Sequence, residues 1–209
     1  MESENLYTFH YFELHVRGDA IRRLLTHAGV KFNDHHISFK EWPELKASMP
    51  NRQVPCLELP DGTKMGQSYA ILRFLGKKHG YYPEDAMQAF KCDEHLDRFN
   101  DVLSAVYKPH FAKEQDEMVA DIMKKVLPVY LKQIDEICAK GEFICGPKIT
   151  IADFAIGGLY TNYLANENIS FAKDQFQAVL KEFPNFEAYG KRVEAECAEF
   201  IKNKKPYPV

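Results

Sequence analysis

The sequence changes character near residue 83, and this change constrains the fold more than any other feature. Up to that point strand and helix signals alternate, in the runs LYTFHY, VRGDAIRRLLTHAG, HISF, VPCLELPDGTKM and SYAILRFLGKKHG. Beyond it, apolar residues recur at helical spacing and no segment has a convincing strand pattern. The sequence therefore predicts an α/β domain over residues 1–83 and an all-helical domain over residues 84–209.

Within the first domain the predicted order is β-α-β-(short helix)-β-β-α, a parallel strand pair followed by an antiparallel hairpin. The hairpin should turn at Asp61-Gly62. Gly29 and Gly80 are expected to end the two longer helices, and Ser68 is expected to cap the second of them. HISF should form a strand with Ile37 and Phe39 on one side.

The second domain should contain several helices. Pro128 should kink or split one of them, and Thr150 with Asp153 should open another as a pair resembling a capping box. The predicted helical segments are the stretch from Phe90 to Tyr107, that from Met118 to Ile137, the one beginning TIADF, and two more near 172–182 and 186–202.

Composition excludes several classes of protein. The net charge of −3 and the pI of about 6.2 leave no basic excess for a phosphate backbone, so no nucleic-acid partner is expected. No apolar run reaches the roughly 18 residues of a membrane span, so no membrane partner is expected either. The N-terminus MESENLYTFH is unlike a signal or transit peptide. The basic cluster KNKKP near the end is expected to be a solvated tail.

The five cysteines are odd in number and none are spaced C-x-x-C. This pattern predicts neither a disulfide framework nor a zinc site, and no other metal is expected. A reducing, cytoplasmic setting fits best, with each cysteine acting as a small buried hydrophobe.

Two tyrosines stand four residues apart in the first strand. Tyr7 is placed mid-strand, whereas Tyr11 is placed where the strand ends and the chain turns toward its helix. Ligands of open α/β sheets bind outside the carboxyl ends of the strands, which favours Tyr11 as the functional residue. On position alone, a purely structural role for Tyr11 remains open.

Six further motifs follow one another in order along almost the whole chain. The first is Y-F-x-x-x-x-R-G-D-A-I-R from Tyr11 to Arg22. The others are EWPELK (41–46), QVP (53–55), GQSYAILRFL (66–75), the aspartates at 93, 97 and 101, and GPKITIADFAI (146–156). In sequence, these six motifs resemble those of the cytosolic glutathione transferases. EWPELK resembles the signature of the sigma class, which includes glutathione-dependent prostaglandin D synthases.

The resemblance implies a thioredoxin-like glutathione-binding domain followed by an all-α domain that contributes a hydrophobic substrate site. It implies that Tyr11 donates a hydrogen bond to the glutathione sulfur, which stabilises the thiolate. Arg17, expected on the first helix, would add positive potential near the sulfur or would be a solvated helix residue.

Glutathione is the co-substrate that the resemblance implies. Trp42 and Lys46 would bind its glycyl carboxylate, and Val54, before a cis Pro55, would pair with its cysteinyl backbone after Gln53. Gln67 and Ser68 would hold the γ-glutamyl carboxylate at a helix N-terminus. Asp101 of the second subunit of a homodimer would pair with the γ-glutamyl ammonium. A small hydrophobic electrophile would lie against Phe12, Leu14, Tyr107 and Phe111.

The chain departs from the family pattern in three places. His15 stands where sigma-class relatives often carry Arg, Asn51-Arg52 replaces Phe-Gly, and the hairpin holds one residue more. His15 could weaken the electrostatics near the sulfur or make them pH-dependent.

Three other functions remain open beside the transferase. One is a glutathione-dependent isomerase resembling prostaglandin D synthase, and another is a non-catalytic ligand carrier or crystallin-like relative. A thiol-disulfide oxidoreductase fits less well, because Tyr11 stands where a catalytic Cys would be needed.

Overall fold

A computed structural model describes residues 6–205, and its first half is built on one four-stranded sheet. The strands are β1 (Tyr7–Phe12), β2 (Phe32–Ile37), β3 (Cys56–Glu58) and β4 (Lys64–Gly66), in the order β2-β1-β3-β4. β1 pairs with β2 in parallel, with Tyr7 opposite Phe32, whereas the other two pairings are antiparallel. The helices of this half are α1 (Asp19–His27), the short α2 (Trp42–Leu45) and α3 (Ser68–His79). The predicted element order is confirmed.

Three local predictions in this half are wrong. β2 begins at Phe32 and ends at Ile37, so Phe39 lies beyond the strand. Its polar sequence FNDHHI pairs along the full length of β1, and this pairing outweighs the weak strand preference of the residues. Tyr7 is the first strand residue and does not lie mid-strand. Ser68 is the first helical residue of α3, because Gln67 occupies the cap position and no side chain caps this helix.

The second half, as far as residue 205, is helical. Its helices are α4 (Ala86–Val106), α5 (Gln115–Asp121), α6 (Leu127–Cys138), α7 (Ile151–Leu159), α8 (Lys173–Lys181), α9 (Pro184–Glu196) and α10 (Ala198–Asn203). A π-helical turn over Ile122–Val126 joins α5 to α6. Pro128 lies in the first turn of α6, where a missing N–H costs little, so the predicted interruption is confirmed.

One core joins the two halves. Every residue of α7 is buried, and this helix packs against α1 and α3 of the first half and against α4 and α9 of the second. The same core takes Tyr7, Phe9 and Tyr11 from one face of the sheet. The fold is therefore the predicted one, a mixed sheet with its helices followed by a helical domain. The boundary at residue 83 falls between α3 and α4 and stays a prediction.

The segment KNKKP is not a solvated tail as far as the described residues reach. Lys204 Nζ donates a hydrogen bond to Asn162 Oδ1 at 2.7 Å, and the carbonyl oxygen of Lys205 lies 2.6 Å from His15 Nε2. Pro206, and residues 1–5 of the N-terminal stretch discussed above, lie outside the described residues.

Between residues 6 and 205, the helices are too short or too polar to cross a bilayer. Cys56, Cys92, Cys138 and Cys197 are buried, as expected for small hydrophobes, whereas Cys145 is half-buried.

Candidate active site

An open cavity of about 700 Å³ lies at the carboxyl end of β1. It is bounded by the segment after β1, by α2 and the loop before β3, by the start of α3 and by the C-terminal part of α4. The structure brings together in its wall all the predicted site residues except Asp101: Tyr11, Phe12, Leu14, Arg17, Trp42, Lys46, Gln53, Val54, Pro55, Gln67, Ser68, Tyr107 and Phe111. Their roles in binding and catalysis stay predictions.

Tyr11 is anchored in the floor of the cavity. Its phenol oxygen accepts a hydrogen bond from the backbone N–H of Arg17 at 3.2 Å, and its side chain is only 5% exposed. Burial raises the pKa of Tyr11 to about 12, although the Arg17 hydrogen bond opposes this shift. The phenol is therefore neutral at physiological pH, and its O–H proton can be donated to a group in the cavity.

Gly18 makes room for the Tyr11 ring. A Cβ atom added at Gly18 would lie 2.5 Å from Tyr11 Cδ1, which is too close for any side chain. The other tyrosine of the strand has a different environment, because Lys78 Nζ donates a hydrogen bond to the Tyr7 hydroxyl. Tyr11 is thus the strand tyrosine that lines the cavity.

Arg17 is not on the first helix, which begins at Asp19. Nor is it a solvated residue, because its guanidinium donates to Asn100 Oδ1 at 2.7 Å and to Ser104 Oγ at 2.8 Å. It also lies 5.7 Å from the centre of the Tyr107 ring. These contacts fasten the segment after β1 to α4 and hold a positive charge in the cavity wall.

His15 does not lie in this wall. Its Nδ1 is 2.8 Å from Asp19 Oδ1, and its Nε2 faces the Lys205 carbonyl on the other side of the segment. The structure thus places His15 outside the cavity wall, and its effect on the electrostatics near the sulfur stays a prediction. The ring connects α1 to the chain beyond α10.

The loop before β3 carries unusual backbone geometry. The Val54–Pro55 peptide bond is cis, as predicted. Asn51 and Arg52 both adopt left-handed conformations, with φ of 53° and 54°. Gln67, at the cap of α3, has φ of 70°, and the free N–H groups of the first turn of α3 follow it.

Aromatic rings form much of the remaining wall. Phe12 stacks on Phe39 with ring centres 5.0 Å apart and meets Trp42 edge-to-face at 5.3 Å. Phe39 and Phe111 are 66% and 59% exposed. Phe39 was missed as a cavity residue because the sequence pattern placed it on a strand face.

The charged residues of the cavity wall are all basic. Arg17, Lys46 and Arg52 line it, and no carboxylate of the described part of the chain does. Such a cavity favours anionic ligands, because the cations are not neutralised within it. Val16, Arg52 and Asn100 also line the cavity and were not predicted.

Asp101 is exposed on α4 and does not line the cavity of its own chain. The neighbouring aspartates of the same helix are engaged by Arg73, which lies 2.6 Å from Asp93 and 2.7 Å from Asp97. Across residues 6–205, no group of three His, Cys, Asp or Glu side chains is arranged to hold a metal ion.

Two family profiles match the chain, and both come from one family. Residues 7–77 match the glutathione S-transferase N-terminal domain, and residues 96–203 match the C-terminal domain. The chain is also 35% identical over 159 residues to glutathione S-transferase 2 of Manduca sexta, covering 73% of this chain and 76% of that protein.

The chain belongs to the glutathione S-transferase family.

Two further similarities agree with membership of this family. The hematopoietic prostaglandin D synthase of Gallus gallus is 29% identical over 192 residues, which cover 90% of each protein. The solved structure of the Fasciola hepatica sigma class transferase superposes with a TM-score of 0.81 at 23% identity, covering 96% of this chain and 97% of that one. The second likeness confirms the predicted fold, that of the glutathione transferases.

Proposed function

We propose that the protein is a glutathione transferase that conjugates glutathione to hydrophobic electrophiles and that Tyr11 stabilises the glutathione thiolate. The observation that carries the proposal is the state of Tyr11. Its phenol is neutral, its oxygen is held by the Arg17 N–H, and its own proton is free to point into an electropositive cavity. A free thiol has a pKa of about 8.5, and a hydrogen bond to the thiolate lowers it.

The cavity has suitable groups for each part of glutathione. Lys46 and the indole N–H of Trp42 would bind the glycyl carboxylate, and the backbone of Val54 would pair with the cysteinyl residue. The N-terminus of α3, with Gln67 and Ser68, would receive the γ-glutamyl carboxylate. Gln53 lies beside Val54 in the same wall.

The reaction needs only a thiolate and an electrophile. The sulfur attacks an electron-poor carbon, a C–S bond forms, and a leaving group such as chloride departs with the electron pair of its bond. The electrophile would lie on the aromatic side of the cavity, against Phe12, Leu14, Tyr107 and Phe111. The Tyr11 proton stays on the phenol throughout.

A homodimer would complete the site. In its own chain Asp101 is exposed and away from the cavity, so it can meet glutathione only if a second subunit presents it there. A cytosolic homodimer in which Asp101 of one subunit pairs with the γ-glutamyl ammonium held by the other is consistent with this placement.

A glutathione-dependent isomerase of the prostaglandin D synthase kind is the second candidate. The stretch Trp42 to Lys46 and the likeness to the Gallus gallus protein favour it. Both candidates use Tyr11 in the same way and differ in the second substrate. A non-catalytic relative is less consistent with the site, since Tyr11 is present and the cavity is open.

The test compares the wild type with Tyr11→Phe in the conjugation of glutathione to 1-chloro-2,4-dinitrobenzene. Phe keeps the ring and removes only the donor, so kcat/KM should fall by roughly 10- to 1000-fold, or about 1.4–4 kcal/mol. Tyr7→Phe is the matched control, because its hydroxyl pairs with Lys78 and should leave kcat/KM unchanged. An active wild type with an equally active Tyr11→Phe variant would refute the mechanism.

A further inference from the structure

Backbone with positive φ at residues other than glycine is concentrated around the cavity. Among the described residues other than glycine, Asn51, Arg52, Gln67 and Ala172 have positive φ, and the first three flank or line the cavity. Asn often adopts this conformation, because its side chain bonds to the nearby backbone. Arg has no such compensation, and Arg52 therefore holds a conformation that its residue type disfavours.

Nothing in the local packing accounts for an arginine at position 52. The turn is held by backbone hydrogen bonds, from Arg52 N–H to the Met49 carbonyl at 3.0 Å and from Gln53 N–H to the Pro50 carbonyl at 3.1 Å. Any residue except proline could make these bonds, and glycine would make them without backbone strain. The Arg52 side chain is exposed and forms no ion pair or side-chain hydrogen bond with residues 6–205. Strained positions that persist without a packing reason are concentrated at ligand sites.

Arg52 lines the same cavity as Lys46 and Arg17. Arg17 is already bonded to α4, whereas Lys46 and Arg52 are both exposed and lie six residues apart on the segment that leads to β3. Arginine binds carboxylates with two parallel hydrogen bonds, a geometry that lysine lacks. A carboxylate entering this side of the cavity would meet Arg52 beside Lys46.

We propose that Arg52 is a carboxylate-binding residue of the cavity, kept in a strained backbone conformation because its guanidinium binds the ligand. The proposal rests on the proposed function, since it takes glutathione as a ligand. Two sources could supply the carboxylate, namely the glycyl end of glutathione or an acidic group on the second substrate.

Two substitutions separate the charge from the backbone. Arg52→Gln removes the charge and keeps a side chain in the left-handed conformation, whereas Arg52→Gly removes both the charge and the strain. Asn51→Gly is the matched control, because it introduces glycine at the neighbouring left-handed position, which Asn already tolerates, and leaves Arg52 in place. Each variant is assayed for the KM of glutathione and of its glycyl ethyl ester, with 1-chloro-2,4-dinitrobenzene as the neutral electrophile, and for Tm.

If the glycyl carboxylate is the ligand, both Arg52 variants should raise the KM for glutathione about three- to tenfold and leave the KM for the ester nearly unchanged. Arg52→Gly should also raise Tm, by about 1–3 °C, whereas Arg52→Gln should not. The control Asn51→Gly should change Tm little, because Asn already adopts the left-handed conformation readily. The control should keep the wild-type KM. This combination of a more stable fold with weaker binding would not result from a structural role.

A second set of assays tests whether the carboxylate belongs to the second substrate. It compares an α,β-unsaturated ketone that carries a carboxylate with the methyl ester of the same ketone, at saturating glutathione. If the Arg52 variants lose activity only toward the acid, the carboxylate belongs to the second substrate. If the Arg52 variants are active but change neither the KM for glutathione nor the activity toward the acid, the proposal is wrong. If the wild type neither binds nor conjugates glutathione, the proposed function itself has failed.

Discussion

Arg17 contributes a positive charge to the cavity, and neutral groups hold its side chain in place. Its guanidinium donates to an amide oxygen of Asn100 and to the hydroxyl of Ser104, and it forms no ion pair within residues 6–205. Neutral acceptors orient the side chain without cancelling its charge. The full positive potential can therefore act on a thiolate beside Tyr11, whose backbone partner is also Arg17.

Asn100→Asp should weaken this effect. A carboxylate at 2.7 Å from the guanidinium would neutralise its charge, so the pKa of the bound glutathione thiol should rise by about half a unit. The acidic limb of the pH profile of kcat/KM for the electrophile, measured at saturating glutathione, should then move to higher pH by the same amount. Asn100→Gln is the control, because its amide stays neutral. An unshifted limb in Asn100→Asp would mean that Arg17 acts only as a structural link to α4.

The sequence motifs predicted most of the residues that line the cavity, whereas several cavity residues outside these motifs were missed. The Tyr11 and Gln67 motifs are local, and each fixes its residue at a strand end or a helix start. Phe39, Arg52 and Asn100 enter the cavity only through tertiary packing, which residue spacing does not encode. Arg52 did leave a signal, since it departs from the Phe-Gly of the family pattern.

At the scale of elements, several buried hydrogen bonds fix the start of α7. Asp153 Oδ2 accepts hydrogen bonds from the N–H and the hydroxyl of Thr150, which completes the predicted capping box. Asp153 Oδ1 accepts from Ile144 N–H and Tyr189 O–H, so the same carboxylate also ties down the preceding loop and α9. Burial raises the pKa of Asp153, and these four donors oppose the shift.

Asp153→Asn should therefore lower the free energy of unfolding by more than the loss of an ordinary helix cap does. An amide cannot accept all four hydrogen bonds, so buried donors lose their partner and the free energy of unfolding should fall by about 2–4 kcal/mol. Asp85→Asn is the matched control. Asp85 caps α4 with one exposed hydrogen bond to Gln88 N–H, and its substitution should cost well under 1 kcal/mol. Urea denaturation of the wild type and the two variants measures the loss of free energy of unfolding in each variant. Equal losses in Asp153→Asn and Asp85→Asn would contradict the special role of Asp153.

Helices and turns were predicted better than strands, for a local reason. The capping residues at 150 and 153, the glycines after α1 and α3 and the Asp-Gly hairpin turn act through their own backbone, and all appear where expected. The strand predicted at HISF lies too far toward the C-terminus, because the β2 residues Asn33, Asp34, His35 and His36 have little strand character. Their place in the sheet comes from pairing with β1, which is a non-local interaction.

At the scale of the whole molecule, a buried polar network joins three distant parts of the chain. Asp19 accepts hydrogen bonds from His15 at 2.8 Å and from Asn162 Nδ2 at 2.9 Å, and Lys204 donates to Asn162. His15 in turn meets the Lys205 carbonyl, 190 residues away in sequence. A separation of this size explains why the sequence alone predicts a solvated tail for KNKKP. The network holds the segment that positions Arg17 and Gly18 against Tyr11.

This network should make the fold sensitive to acid through Asp19. Burial raises the pKa of Asp19, but the hydrogen bond and charge of His15, with Arg23 and Lys204 nearby, outweigh burial and lower it well below its usual range. A carboxyl group with a lowered folded pKa stabilises the protein above its unfolded pKa of about 3.9, and this contribution is lost as the pH falls toward the folded value.

Asp19→Asn should accordingly lower the free energy of unfolding at pH 7 by about 3 kcal/mol and flatten its decline below pH 4. The measurement is urea denaturation from pH 7 to pH 2, with the exposed Asp174→Asn as control. The control should follow the wild type at every pH. If Asp19→Asn lost stability in parallel with the wild type below pH 4, the acid sensitivity would lie elsewhere. The network would then join the three segments without linking their stability to protonation of Asp19.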